Sequence, residues 1–197
     1  IDAGLPLFEK TLADRLGKLG YTNCAIGKWH LGSKEAMHPL ARGFDEFHGF
    51  LLGSRTYFSI PENTKQPQRA LMHNREIVPE EDNLYLTDWM AEEAIDFIKK
   101  QDEDPFFLYL DIFDPHEPWD PPQADIDHYD PGYRGDVVTY PVYGYWKEFM
   151  SPEELRHSHA LYCGEVSMVD RWFGNILTTM DQLSLWENTA LIVTSDH

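Results

Sequence analysis

The pattern of apolar and polar positions predicts alternating helices and strands along most of the chain. Apolar residues recur at helical spacing over 7–19, and Gly20 follows them as a helix-ending residue. A short apolar run over 22–26 predicts a buried strand, and residues 27–32 (GKWHLG) form a glycine-bracketed turn directly after it. A helix followed by a strand and a glycine turn is typical of an α/β fold.

The second half of the chain also shows the patterns of alternating helices and strands. Residues 87–100 show a helical apolar face, and the nearly continuous apolar run over 106–113 predicts a central parallel strand buried on both faces. A capping box at Ser151 begins a helix that extends to about residue 181, and 188–195 reads as another buried strand. We therefore predict an α/β fold with a mostly parallel central sheet and helices on both faces.

Three segments show neither the helical nor the strand periodicity of apolar residues. Residues 42–50 are rich in aromatic residues and glycine, which favours a loop packed onto the sheet edge. The polar stretch 54–83 and the Pro-, Tyr- and Asp-rich stretch 120–150 resemble insertions, with a short hairpin predicted near 73–78. Such segments face a substrate in some proteins and decorate the surface in others, and the sequence leaves both open. The span 1–197 is predicted to be one domain, or most of one.

Composition narrows the range of partners. Acidic residues outnumber basic ones by 34 to 16, and the formal charge of −18 argues against nucleic acid or an anionic membrane as the partner. The sequence contains no run of about 18 apolar residues, so it predicts no membrane-spanning helix. Two cysteines do not make a disulfide framework. No signal peptide is visible, but the chain begins without methionine, so the sequence leaves the localisation open.

Polar side chains follow three of the predicted strands at the points where they end. Right-handed crossovers bring the ends of parallel strands to one edge of a sheet, so these side chains can converge although they are far apart in sequence. The residues are Lys28 and His30, then His116, then Asp196 and His197.

Together these side chains suit the hydrolysis of an anionic ester. Lys28 offers a permanent positive charge, and His30 and His116 can transfer protons near neutral pH. Asp196 supplies an oxygen ligand for a metal ion, and His197 adds a nitrogen or a hydrogen bond. Taken one at a time, a lysine in a surface turn or a histidine before proline is more often structural. The case for chemistry rests on their convergence.

At this point the residues resemble a known family, the type I sulfatases of the alkaline phosphatase superfamily. Residues 27–32 resemble the second signature of that family, and 42–45 (RGFD) resemble its following segment. Residues 115–118 (PHEP) are similar to the segment that carries its substrate histidine, and 194–197 (TSDH) to its metal pair. The resemblance spans nearly the whole chain in the order of the family.

The resemblance implies a sulfuric ester hydrolase that acts on a small-molecule or carbohydrate sulfate ester. By analogy Lys28 and His30 would contact the nucleophile and the sulfate, and His116 the sulfate and the leaving group. Asp196 would ligate a divalent cation, usually calcium in this family, with His197 at or beside the metal. The fold would be alkaline phosphatase-like and incomplete.

The nucleophile of the family is a formylglycine made from cysteine or serine in a Cys/Ser-x-Pro/Ala-x-Arg motif. That motif does not occur in the 197 residues, and Cys24 does not fit it. The resemblance places the formylglycine, and an earlier aspartate pair, before this stretch. We therefore expect the 197 residues alone to be inactive.

Three other functions stay open on the sequence. A phosphonate or phosphate ester hydrolase of the same superfamily would share the fold and the edge residues. A non-catalytic, sulfatase-like binding domain would share the fold alone, and the joint presence of Lys28, His30, His116 and Asp196 argues against it. A zinc-histidine enzyme is disfavoured because the nine histidines show no His-x-x-x-His spacing.

Overall fold

A single sheet organises the part of the chain that the computed structural model describes, which is residues 4–60, 67–101, 104–140 and 143–195. The strand order is β4-β3-β2-β1-β5. β1 pairs in parallel with β2 on one side and with β5 on the other, and β3 and β4 extend the sheet as an antiparallel hairpin. The strands are β1 Thr22–Lys28, β2 Glu46–Phe50, β3 Met72–His73, β4 Glu76–Ile77 and β5 Phe106–Asp111.

Helices pack on both faces of this sheet, as predicted. Successive residues of a strand point to opposite faces. Cys24 and Ile26 of β1 therefore join a large core with the two long helices, while Ala25 joins a smaller core with Ala13 of the first helix. The helices are α1 Leu12–Leu16, α2 Leu86–Lys100, α3 Gln123–Asp127 and α4 Pro152–Gln182.

The two long helices begin and end close to their predicted bounds. At the start of α4 the Ser151 hydroxyl accepts the Glu154 backbone N–H at 3.2 Å, and the Glu154 carboxylate accepts the Ser151 N–H at 2.6 Å. This reciprocal capping box is the one that the sequence predicts. No helix in the described ranges is long and apolar enough to cross a membrane.

The first helix is shorter than predicted. Thr11 caps α1 through Asp14, so the helix begins at Leu12, and a 3₁₀ turn over Gly17–Leu19 ends it. The side chains of Phe8 and Leu19 are 78% and 72% exposed, so the apolar stripe that predicted a longer helix is not buried. Gly20 lies in the left-handed region at φ 87°, which is the predicted helix end.

Three other predictions from the sequence are wrong. Residues 46–50 are the strand β2 rather than a loop, with Phe47 and Phe50 buried. β5 lies at the edge of the described sheet rather than in its centre, so it is only partly buried. Residues 190–195 form no strand, although the sequence predicts one over 188–195, and Ile192 is 84% exposed. A strand needs a neighbour for its backbone groups, and within the described residues none pairs with this segment.

The two insertion-like segments are more regular than predicted. The hairpin of β3 and β4 confirms the one predicted near 73–78, and Asn74 adopts φ 57° in its turn. The stretch 120–150 contains the short helix α3, whose Asp125 makes a two-pronged ion pair with Arg171 of α4 at 2.7 and 2.9 Å. Contacts with α4 stabilise a helix here that sequence periodicity does not show.

Two glycines allow the parallel strands to approach each other. A Cβ atom at Gly49 would lie 2.0 Å from the carbonyl oxygen of Gly27, its partner in β1. We predict that Gly49→Ala lowers the free energy of unfolding by about 1–3 kcal/mol, because the strands must separate. Gly174→Ala is the matched control, since a Cβ there meets nothing within 4 Å and should stabilise α4 by about 0.5–1 kcal/mol. Urea unfolding measures both, and a neutral Gly49→Ala would contradict the strand geometry.

Candidate active site

The turn after β1 presents two of the predicted residues at the carboxyl edge of the sheet. Lys28 is the last residue of β1, is half-buried, and carries its Nζ 5.2 Å from the centroid of the Phe113 ring. His30 is exposed and adopts φ 46°. The imidazole of His30 lies over Gly53, where a Cβ would come within 2.5 Å of the ring. The strained backbone and the glycine therefore fix the direction of His30.

The loop after β5 presents His116 at the same edge. The imidazole of His116 stacks on Phe113 with ring centroids 4.6 Å apart, and its side chain is 36% exposed. Its Nδ1 lies 2.7 Å from the carbonyl oxygen of Glu117. A carbonyl only accepts hydrogen bonds, so Nδ1 carries a hydrogen, and Nε2 is the ring atom left to exchange a proton with a ligand.

The Phe113 ring is the common neighbour of two predicted residues. The Lys28 ammonium lies over this ring and the His116 imidazole stacks on it. Phe50 at the end of β2 and Tyr57 also pack against it, with ring centroids 5.7 and 5.2 Å away. The structure thus brings Lys28 and His116 to one aromatic residue, and it places His30 on the adjacent turn.

Hydrogen bonds to buried groups hold the His116 loop in position. The Tyr57 hydroxyl donates to the His116 carbonyl at 2.5 Å, and the Thr87 hydroxyl of α2 donates to the Asp114 carboxylate. The Trp119 indole N–H donates to the Pro115 carbonyl at 2.9 Å. The His116 carbonyl is therefore tied to the segment 54–60, and the Asp114 side chain ties the start of the loop to α2.

Two buried carboxyl groups lie beneath this loop. Burial raises the pKa of Asp114 to about 6, although the hydrogen bond from the Thr87 hydroxyl opposes the rise. Burial, together with the charge of Asp114, raises the pKa of Glu165 to about 9. Glu165 of α4 is fully buried and accepts the Asp120 backbone N–H at 2.8 Å. Near neutral pH Glu165 is therefore a neutral acid that supports the far end of the loop.

The predicted metal ligands are not placed by the structure. Asp196 and His197 lie outside the described residues, and their role as ligands stays a prediction. Among the described residues, the groups able to hold a metal ion lie on the side of the sheet that α2 covers. They are Cys24 with Glu46 and His48, and His48 with His73 and Glu93.

Sequence reasoning missed the residues that support the site. Asp114 stands directly after the apolar run 106–113, a position that could have marked it as a residue of the sheet edge. Tyr57 lies in a polar stretch without periodicity, and Glu165 lies within a helical pattern that reads as a core stripe. Neither carries a local signal, because their importance comes from contacts 45 and 59 residues away in sequence.

Comparison with known proteins finds one family and relatives with related names. The sequence model of one family, Sulfatase, matches residues 2–197. N-acetylgalactosamine-6-sulfatase from Rattus norvegicus is 31% identical over 209 residues, which cover 100% of this chain and 34% of the relative. The chain thus spans about a third of the length of the curated N-acetylgalactosamine-6-sulfatases that it matches.

Solved structures share the fold. Ps i-CgsB in complex with k-i-k-neocarrahexaose has a TM-score of 0.73 and 28% identity, over 96% of this chain and 40% of that one. The phosphonate monoester hydrolase of Agrobacterium radiobacter has a TM-score of 0.59 and 17% identity, over 94% of this chain and 46% of that one. The second likeness concerns the fold alone.

The buried acid Glu165 predicts a specific pH dependence of stability. The folded protein keeps this proton up to about pH 9, whereas an ordinary glutamate loses it near 4.5. Between these values the folded state binds more protons than the unfolded state, so stability falls as pH rises, by at most about 1.4 kcal/mol per pH unit. We predict that Glu165→Gln removes this loss, so that its stability relative to wild type increases from pH 5 to pH 8.

Urea unfolding at several pH values measures the effect of Glu165→Gln. The exposed Glu153 on the same helix supplies the matched control, and Glu153→Gln should keep the wild-type slope. A stability difference between Glu165→Gln and wild type that does not change with pH would show that Glu165 is ionised in the folded protein.

Proposed function

This chain belongs to the sulfatase family, and from that membership we propose that the whole protein hydrolyses sulfate esters as a sulfuric ester hydrolase. The observation that carries the proposal is the meeting of Lys28 and His116 around Phe113 at the carboxyl edge of the sheet. Active sites of α/β proteins lie at this edge. A fixed cation and a proton-transferring imidazole beside each other match what cleavage of a sulfate ester requires.

Each of the three described site residues has a proposed role. Lys28 is half-buried, so its charge is less screened by water and can stabilise the sulfate oxygens as negative charge develops. His116 directs Nε2 away from the Glu117 carbonyl and is the proposed donor of a proton to the leaving oxygen. His30 is proposed to contact the sulfate and the nucleophile from the adjacent turn.

A divalent cation and a formylglycine complete the proposed site. Asp196 is the proposed ligand of the cation, because carboxylate oxygens are the ligands that calcium prefers. His197 is proposed to lie at or beside the cation, as a second ligand or as a hydrogen-bond partner of the first. When bound, the cation would neutralise charge on the sulfate. The formylglycine nucleophile is proposed to lie outside residues 1–197.

The proposed substrate is a sulfated carbohydrate. An aromatic cleft of about 360 Å³ lies beyond the His116 loop, and its walls include Trp119, Trp146 and Tyr162. Trp119 lies three residues after His116, and its backbone N–H donates to the Thr139 carbonyl at 2.7 Å. Flat aromatic walls suit the apolar faces of sugar rings. The names of the relatives, N-acetylgalactosamine-6-sulfatase and the neocarrahexaose complex, point to the same class of substrate.

We predict that Lys28→Ala in the full-length protein lowers kcat by about 10²–10³-fold, because one oxyanion contact typically contributes that much to the rate. Hydrolysis of an aryl sulfate at saturating substrate measures the loss. The exposed Lys18 gives the matched control, and Lys18→Ala should keep the wild-type rate. Thermal unfolding checks that the variant is folded. A near-normal kcat in folded Lys28→Ala would remove this residue from the site.

A phosphonate or phosphate ester hydrolase is the second candidate, favoured by the shared fold with a phosphonate monoester hydrolase. We predict that the full-length protein has a higher kcat/KM for a sulfate monoester than for the phosphate or phosphonate ester of the same alcohol. Steady-state kinetics with matched esters measure the ratio. A preference for the phosphorus esters would establish the second candidate, and turnover of none would support a binding domain.

A further inference from the structure

A cluster of two histidines and a glutamate lies between the sheet and α2. His48 comes from β2, His73 from β3 and Glu93 from α2. His48 and His73 are direct partners in the antiparallel register, and their ring centroids are 4.4 Å apart. One potential ligand atom from each of the three residues lies within 4.8 Å of the others. Three separate elements thus direct metal-binding side chains to one point.

The glutamate lies between the two imidazoles. One carboxylate oxygen of Glu93 is 2.6 Å from Nδ1 of His48, and the other is 2.9 Å from Nε2 of His73. Two imidazole nitrogens and a carboxylate are a ligand set found in zinc sites. Small movements of these side chains would exchange the hydrogen bonds for bonds to one ion. The mixed nitrogen and oxygen set disfavours calcium, which prefers oxygen ligands alone.

An outer carboxylate supports one of the two histidines. Nε2 of His48 lies 3.3 Å from the carboxylate of Glu46. A histidine that binds a metal through one nitrogen commonly donates the hydrogen on its other nitrogen to a carboxylate, which fixes the ring and strengthens the ligand. If Nδ1 of His48 binds the ion, Nε2 carries the hydrogen and Glu46 is placed to accept it.

Charge and access also fit a cation. Glu46 and Glu93 bring two negative charges to a cluster whose ion-pair partners are the imidazoles themselves. The His48 side chain is 10% exposed and that of Glu93 is 17% exposed, so most of the cluster is shielded from water. The His73 side chain is 44% exposed, which gives an ion a path from the solvent.

We propose that His48, His73 and Glu93 bind a divalent transition-metal ion of the zinc class. The ion links α2 to the hairpin of β3 and β4, whose strands are only two residues long each. Its role is structural: it cross-links a helix to a small hairpin that few ladder hydrogen bonds hold in place. This site uses none of the residues assigned to sulfate ester hydrolysis, and it does not depend on that function.

Zn²⁺ alone is the first probe. The full-length protein is stripped with EDTA, saturated with Ca²⁺ so that oxygen-ligand sites are filled, and titrated with Zn²⁺ by calorimetry near pH 7.5. We expect wild type to bind one more equivalent of Zn²⁺ than His73→Gln, and to gain thermal stability on binding. The side chain of His73 is half-exposed, so glutamine is tolerated there. His128→Gln is the matched control at the exposed histidine that follows α3, and should bind as wild type does.

Glu46→Gln tests the outer carboxylate separately. Loss of such a partner typically weakens metal affinity about 10–100-fold, so this variant should keep the stoichiometry and bind more weakly. An unchanged affinity would overturn the supporting role proposed for Glu46.

Co²⁺ gives a measurement that does not depend on any variant. In the same Ca²⁺-saturated protein, Co²⁺ held by His48, His73 and Glu93 with an open position should show the intense visible absorption of low-coordinate cobalt, and Zn²⁺ should abolish it. Equal Zn²⁺ stoichiometry in wild type and His73→Gln, or wild-type protein without this absorption, would overturn the proposal.

Discussion

The parallel pairing of β1 with β2 and β5 is the constraint on which the rest of the structure depends. The register aligns Lys28 with Phe50 and Gly27 with Asp111, so three chain segments leave the sheet at the same level. This alignment requires Gly27 and Gly49, because a side chain at either would collide with a neighbouring backbone oxygen. Because of this register, the turn after β1 lies next to the loop after β5, and Lys28 contacts Phe113 of that loop.

Beneath the carboxyl edge of the sheet, the protein buries polar side chains at positions where most proteins have apolar ones. Asp114, Glu165 and Tyr57 are almost fully buried, yet they make the contacts that position the His116 loop. Removing a carboxyl group from water disfavours its charged form, which is why the pKa values of both acids rise. Burying these acids lowers the stability of the protein near neutral pH. Their hydrogen bonds, however, hold the loop 115–122, which contains four prolines, in one conformation.

The same face of the sheet carries two different kinds of packing. Beside α4, helix α2 covers an apolar core that includes Ile26, Phe97 and Met180. Towards the hairpin, α2 instead directs Glu93 to two histidines. A strand as short as β3 buries little apolar surface, so polar contacts supply what hydrophobic burial cannot at this end of the sheet.

The sequence by itself determined the element types with strong local signals: the α/β class, the capped helix α4, the helix α2, and the polar residues at the ends of β1 and β5. It did not determine which strands pair. The run 106–113 reads as central and 188–195 as a strand, yet pairing depends on neighbours that no local pattern names. Tertiary structure alone decided that Phe113 joins Lys28 to His116, that Glu165 supports their loop, and that His48, His73 and Glu93 meet. Apart from the stacking of His116 on nearby Phe113, these contacts join residues 20 to 85 positions apart, and only the folded sheet brings such residues within reach of each other.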